Sequence, residues 1–214
     1  MSIKLYHFIV SGPSRGALLA ARTLQVPIQI VEVNTFKKEN YKESYLKMNP
    51  QHCVPTLDDN GFILWESRAI ACYLADKYGK DDQFYPKDLQ KRALVNQRLH
   101  FDGTSLNVKM RAMCAPILFS GATDIPKPLK DDFNITLEFL EIFLSSTKWL
   151  AGDNPTVADT ASYATLSSIL AVGWDISSFS NIQRWVKQCA SLPGAEENDE
   201  GARAYGEAVK SKLK

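Results

Sequence analysis

"NPQHCVPTLDDNGFILWESRAIACYLADKYG", residues 49–79, decides how the first half of this chain folds. Two apolar runs, "VPTL" and "FILWE", flank Asp59-Asn60-Gly61. Asn-Gly between apolar runs is a strong hairpin signal, since the tightest turns need two residues at positive φ. The run "SRAIACYLADKYG" then reads as a helix, with Ser67 as its N-cap and Gly79 as its C-terminal stop. A strand, a strand and a helix follow one another without spare residues.

Upstream, "IKLYHF" reads as a strand, and the loop "VSGPSRG" leads into the apolar-periodic helix "SRGALLAARTL". Pro13 suits the first helical turn, where its missing N–H costs nothing. "IQIVEV" alternates and is β-branched, which predicts a second strand. A helix between two strands predicts a parallel βαβ unit with a right-handed crossover. The polar stretch "NTFKKENYKESYLKMNPQH" supplies one more helix, so the order is βαβ-α-ββα, complete at residue 79.

Downstream, "GKDDQFYPKD" brings charge, Gly and Pro, and residues 80–86 read as a linker. Residues 87–214 read as helical throughout. The stretch "LQKRALVNQRLHFDGTSLNVKMRAMCAPILF" should be bent or broken at Gly103 and Pro116. "TVADTASYATLSSILAVG" opens on Thr156 and Asp159, a capping box with Asp in place of Glu. The predicted fold class is α/β plus all-α: a small α/β domain over 1–79, then a helical bundle.

Composition narrows the function classes. The chain has 214 residues, 45% hydrophobic and 23% charged, with a formal net charge of +1. Its mean hydropathy is -0.21 and its isoelectric point about 7.6, so no strong field directs it to nucleic acid or acidic lipid. No secretory leader pattern and no apolar run near the ~18 residues of a membrane span is present, so a cytoplasmic protein is expected. Cys53, Cys72, Cys114 and Cys189 are scattered, as are His7, His52 and His100. Metal ligands cluster at short spacings, so no metal site is expected, and the cysteines read as buried free thiols.

Gly12-Pro13-Ser14-Arg15-Gly16 matches the G-x-S-x-G elbow of serine hydrolases. That elbow needs a central strand before it and a late histidine as base. Here it follows the first strand, and His100 precedes most of the helical half. The hydrolase reading is set aside. Ser14 is expected to be structural, and Arg15 to serve packing or surface charge.

"NPQH-x-VPTL", "DNG", "WESRAI-x-x-YL", "YPKD" and "GDNPTVAD", in that order, resemble cytosolic glutathione transferases over essentially the whole chain. "QRLHFDGTSL" followed by "MRAMCAPILF" is most similar to the insect epsilon class, with delta as near neighbour. The resemblance implies a thioredoxin-like first domain, a helical second domain, a homodimer, and conjugation of glutathione to hydrophobic electrophiles in detoxification. Peroxidase, isomerase and dehydrochlorinase activities are side reactions open to the same thiolate. A carrier of hydrophobic ligands on the same fold is the rival reading.

The resemblance also assigns residues. Pro55 matches the family's cis-proline, and would turn the Val54 backbone outward to pair with the cysteinyl unit of glutathione. Glu66 would face the γ-glutamyl ammonium, and Ser67 at a helix N-terminus its carboxylate. Arg68 either adds charge to that carboxylate or faces the dimer partner. His52 would contact the glycine carboxylate. Asn40 stands where delta and epsilon members usually place a second histidine; it can donate a hydrogen bond but cannot become cationic. Ser11 stands where insect classes keep the serine that stabilises the glutathione thiolate.

The acceptor pocket is expected between the domains, from Phe8 and Val10 on one side. Asn107, Met110, Arg111, Cys114, Leu118 and Phe119 would face it from the long helix, with Tyr205 and Val209 from the last. Helical spacing places Asn107, Met110, Arg111 and Cys114 on one face. Asn107 and Cys114 replace residues that are often aromatic in the epsilon class, which predicts a wider, less aromatic pocket, and Ala115 replaces a common glutamate, which leaves Arg111 without that partner.

Overall fold

The computed structural model describes residues 3–214. β1 (Ile3–His7) alternates buried and half-buried residues and sits inside a four-stranded sheet of order β2-β1-β3-β4. β2 (Ile28–Glu32) runs parallel to β1, pairing Ile3 with Ile28, and β3 (Thr56–Asp59) runs antiparallel on its other side, pairing Leu5 with Leu57. β3 turns into β4 (Phe62–Trp65) at Asn60 (φ 54°) and Gly61 (φ 94°), the two positive-φ positions that the Asn-Gly pair predicts. β2 is an edge strand: Ile30 is exposed, so the strong alternation of "IQIVEV" does not translate into a buried face.

α1 (Gly12–Thr23) is buried on two sides. Ala17, Leu18 and Ala21 join Ile3, Leu5, Leu57, Ile70 and Leu74 in the core of the first domain. Leu19 and Ala20 instead face the core of the helical domain. Gly16 permits this sandwich, because a Cβ there would stand 3.3 Å from the Ala161 Cα. The polar stretch forms a short 3-10 turn (Glu39–Tyr41) and α2 (Glu43–Met48). α3 (Ser67–Tyr78) starts one residue earlier than expected: Glu66, at φ 74°, is its N-cap, and Ser67 is its first helical residue. Gly79 does end α3, but at φ -59°. Glycine is needed there for space, since a Cβ would lie 2.5 Å from the Ala75 carbonyl oxygen.

Phe84, within the segment read as a linker, is buried against the helical core, and its carbonyl accepts from Val157 N–H at 3.1 Å. α4 (Leu89–Phe101) passes through a π-helical turn (Asp102–Leu106) into α5 (Asn107–Phe119). Gly103 therefore sits in a bulge that keeps the helix continuous, and Pro116 lies in the last turn of α5 without breaking it. Helices α6 (Lys127–Leu144), α7 (Val157–Val172), α8 (Ser180–Cys189) and α9 (Ala195–Lys210) complete the bundle. α7 is its axis, buried from Val157 to Ile169. Among the described residues no helix is long and apolar enough to cross a membrane.

The end of β1 carries a titratable group inside the fold. His7 is buried, and its Nδ1 has no hydrogen-bond partner. Burial pushes its pKa down to about 4, helped by Arg15 and Arg22 and resisted by Glu197. The folded chain thus holds a neutral imidazole where the unfolded chain takes up a proton below its ordinary 6.5. Acidification from 6.5 to about 4 should remove roughly 3 kcal/mol of stability through this residue, with nothing lost above 6.5. Urea midpoints measured across that window should fall less steeply in His7→Gln than in the wild type. Identical slopes would refute the assignment.

Candidate glutathione site at the domain interface

Three chain segments and two helix N-termini meet at the upper end of β1 and β3. After His7 the chain turns, with Ser11 N–H donating to the Phe8 carbonyl at 2.9 Å. Ser11 is the N-cap of α1, in extended backbone (φ -78°, ψ 114°), and is half-buried. Its Oγ accepts a long bond from Ser14 N–H, 3.4 Å. One lone pair is so engaged, and the hydroxyl proton remains available to an acceptor in front of the helix. The unsatisfied N–H groups and the helix dipole favour negative charge at that spot.

Ser14, by contrast, is sealed, and its Oγ has no hydrogen-bond partner. A hydrolase nucleophile needs both an opening and a base. Ser14 has neither. Arg15 is not a surface charge: it is 1% exposed and bonded to both domains.

The second segment precedes β3. The Val54–Pro55 peptide bond is cis, as the resemblance implies. The Cys53 carbonyl before it is held by Tyr45 Oη at 2.6 Å and Asn49 Nδ2 at 3.0 Å. Both donors also reach Thr56 Oγ1, at 2.9 and 2.8 Å. Residues 53–56 are thereby fixed by α2 and the turn after it. His52 lies at φ 45°, its ring stacked on Tyr41 at 4.4 Å between centroids. Asn40 does not face outward as a substitute for a second histidine; it is buried, and its Nδ2 donates to the His52 carbonyl at 2.6 Å.

The third segment is the start of α3. Glu66 is exposed and held at φ 74°, a conformation that costs a non-glycine residue about 1–3 kcal/mol. Ser67 behind it is buried. Arg68 turns inward and pairs with the fully buried Asp102 of the π turn. Burial raises the Asp102 carboxyl, and Arg68 with Thr165 counters it. Gly103 leaves room for that guanidinium, since its Cβ would stand 3.2 Å from Arg68 Nε.

Residues expected at the acceptor pocket divide into two groups. Met110, Cys114, Tyr205 and Val209 are buried in the helical core, and Tyr205 Oη donates to Met110 Sδ at 3.2 Å. Burial pushes the Cys114 thiol up. Asn107 is buried as well, its Nδ2 3.5 Å from Thr165 Oγ1. Arg111 is exposed and lies near enough to the Tyr205 hydroxyl to oppose the upward push of burial on it; Leu118 and Val10 pack on the core edge. Phe8 and Phe119 are linked by Phe36, whose ring centroid is 5.3 Å from Phe8 and 6.0 Å from Phe119. Phe36 and Phe119 are exposed, so an aromatic rim crosses from the first domain to the second. Sequence reasoning missed Phe36, Tyr41, Tyr45 and Asn49; all lie in the polar stretch, where the aromatic residues at 36, 41 and 45 stand out among charged neighbours.

A thioredoxin-like domain with a capped serine, a cis-proline segment and a positive-φ helix cap, closed by a helical bundle, defines the class of glutathione-using transferases. The glutathione S-transferase N-terminal domain model matches residues 1–76, and the corresponding C-terminal domain model matches residues 120–193. A Bombyx mori glutathione S-transferase described as unclassified 2 is 71% identical, with a TM-score of 0.97 over 100% of both chains. An epsilon-class glutathione S-transferase from the housefly Musca domestica is 42% identical, with a TM-score of 0.95 over 99% of this chain and 98% of its own. A Drosophila mojavensis glutathione transferase homologue, solved with bound glutathione, is 38% identical, with a TM-score of 0.95 over 99% of this chain and 98% of its own. The chain belongs to the glutathione S-transferase family.

Proposed function

We propose that this transferase stabilises the glutathione thiolate with the Ser11 hydroxyl and adds it to hydrophobic electrophiles that enter over the Phe8–Phe36–Phe119 rim. The carrying observation is Ser11 itself, a half-buried N-cap hydroxyl with its proton uncommitted at the mouth of α1. Glutathione loses its thiol proton to water, and Ser11 Oγ–H donates to the resulting sulfur anion. The sulfur then attacks the electrophilic carbon, and the leaving group departs with its electron pair. No general base is required, since stabilising the anion suffices to populate it near neutral pH.

Around that sulfur the peptide lies along the site. The Val54 backbone pairs with the cysteinyl unit. Glu66 and Ser67 take the γ-glutamyl ammonium and carboxylate, with Arg68 acting through Asp102 behind them. His52, braced by Tyr41 and Asn40, takes the glycine carboxylate. Met110, Cys114, Asn107, Tyr205 and Val209 form the floor under the acceptor rather than its walls. Leu118 and Val10 edge the pocket, and Arg111 stands at its solvent side above Tyr205. The protein acts as a cytoplasmic homodimer in detoxification.

Conjugation of glutathione to a chromogenic aryl halide tests this reading. Ser67→Ala should raise KM for glutathione about 10- to 100-fold, the worth of one hydrogen bond to a charged group, with kcat within about twofold. Absence of conjugation by the wild type, or an unchanged KM in Ser67→Ala, would overturn it.

A further inference from the structure

Arg15 is among the largest side chains sealed inside the fold. Its guanidinium donates to the carbonyls of Ile9 at 2.9 Å and Val10 at 3.0 Å. It also donates to Asn198 Oδ1 at 3.1 Å, to the Ala164 carbonyl at 3.1 Å, and to Ser168 Oγ. All five acceptors are neutral. Burying a cation without an anion in contact is unfavourable, and a stability role alone would be met better by apolar packing. Burial pushes the guanidinium down to about 10, so it remains charged at neutral pH.

The acceptors explain what the charge holds. Ile9 and Val10 form the loop that ends at Ser11, whereas Ala164 and Ser168 belong to α7 and Asn198 to α9. Steric contact repeats the same link. Gly201 of α9 lies so close that a Cβ there would stand 2.5 Å from Arg15 Cδ and run into the Ile9 carbonyl oxygen. Gly12, beside Ser11, approaches α7 similarly, its Cβ position 3.3 Å from Ser168 Oγ.

We infer that Arg15, seated on α7 and α9, is a positioning residue that fixes the Ile9–Val10 backbone and through it the direction of the Ser11 hydroxyl. This rests on the reading that Ser11 holds the glutathione thiolate. A hydrogen bond weakens steeply as its angle departs from linear, so a small turn of the Val10–Ser11 peptide costs the anion its donor. Lysine cannot replace the guanidinium, because one ammonium cannot span acceptors on three elements.

The test compares Arg15→Lys, Gly201→Ala and Ser168→Ala with Ser11→Ala in the intact enzyme. For each, kcat, KM for glutathione, the pH midpoint of kcat/KM, the ultraviolet absorbance of bound thiolate and the melting temperature are measured. Arg15→Lys and Gly201→Ala should lose about tenfold to a hundredfold in kcat, as misplaced reacting groups do. Their thiol midpoint should rise by about one pH unit, with KM within about twofold. Ser168→Ala, which removes one acceptor of five, should shift the midpoint in the same direction by less. A lowered melting temperature with kcat and midpoint of the folded enzyme unchanged would overturn the inference. Should Arg15→Lys fail to fold, Gly201→Ala decides, since it keeps the guanidinium and displaces the loop from behind. If Ser11→Ala itself leaves the midpoint unchanged, the reading of Ser11 fails and this inference falls with it. If Ser11→Ala shifts the midpoint and the other three do not, the inference about Arg15 alone fails.

Discussion

Replacing Ser11 by alanine should lower kcat/KM for conjugation at pH 7 by about 10- to 100-fold and raise the bound thiol's ionisation by about 1–2 pH units. A free thiol of this kind ionises near ~8.5, so only a few per cent is thiolate at neutrality. One hydroxyl donating to a charged sulfur supplies ~1.5–3 kcal/mol, and the helix N-terminus about 0.3–1 more. Alanine removes the first and leaves the second, so a residual activity set by the dipole and by binding should survive. The same substitution removes an N-cap oxygen, but its bond to Ser14 N–H is 3.4 Å long, so the stability loss belongs at the low end of the ~0.5–2 kcal/mol range. Ser14→Ala is the control. Its hydroxyl is buried without a partner, so removing it should leave kcat and the pH profile in place. An unchanged profile in Ser11→Ala would overturn the thiolate mechanism, and ester turnover abolished by Ser14→Ala would restore the hydrolase.

Local signals carried most of the fold and part of the site. Asn60-Gly61 specify their turn through two positive φ angles, and Gly79 ends α3. The cis bond at Val54–Pro55 agrees with what the family resemblance implies. What stayed illegible depends on partners far along the chain. Arg15 reads as either packing or surface charge because its acceptors Ala164 and Asn198 lie 149 and 183 residues downstream. Arg68 is inseparable from Asp102, 34 residues later, and nothing near either residue announces the pair. Gly103 looks like a helix breaker until the π turn and the Arg68 guanidinium it accommodates are seen. Phe36 is hidden by charged neighbours; only the folded loop sets it between Phe8, edge to face, and Phe119. One-residue errors such as Ser67 for Glu66 arise because a positive-φ glutamate is an improbable cap, held by its site rather than by its own preference.

Asp159→Ala should be the most destabilising single change in the helical domain. The Asp159 carboxylate is fully buried, and four donors converge on it. Oδ2 accepts from Thr156 N–H at 2.8 Å and from Thr156 Oγ1 at 2.9 Å, the capping box anticipated from "TVAD". Oδ1 accepts from Leu150 N–H at 2.9 Å and from Trp185 Nε1 at 2.8 Å, which ties the loop before α7 and the centre of α8 to the same group. Burial pushes the carboxyl's pKa up, and these bonds oppose that rise. Alanine strands buried backbone and indole N–H groups, each costing about 1–3 kcal/mol. The expected loss is therefore about 3–5 kcal/mol, a large share of the ~5–15 kcal/mol that a folded chain possesses. For a chain of this size that lowers the melting temperature by about 10 °C or more. Because α7 also presents Ala164 and Ser168 to Arg15, partial loosening of its first turns should reach Ser11 as well. Activity per molecule that remains folded separates the two effects: Asp159→Ala should lose stability first and turnover second, the reverse of Ser11→Ala. Asp159→Asn keeps one acceptor oxygen and should fall between the wild type and alanine. A melting temperature within about 2 °C of the wild type in Asp159→Ala would mean that the four donors find other partners, and that the buried carboxylate does not hold α7 to α8.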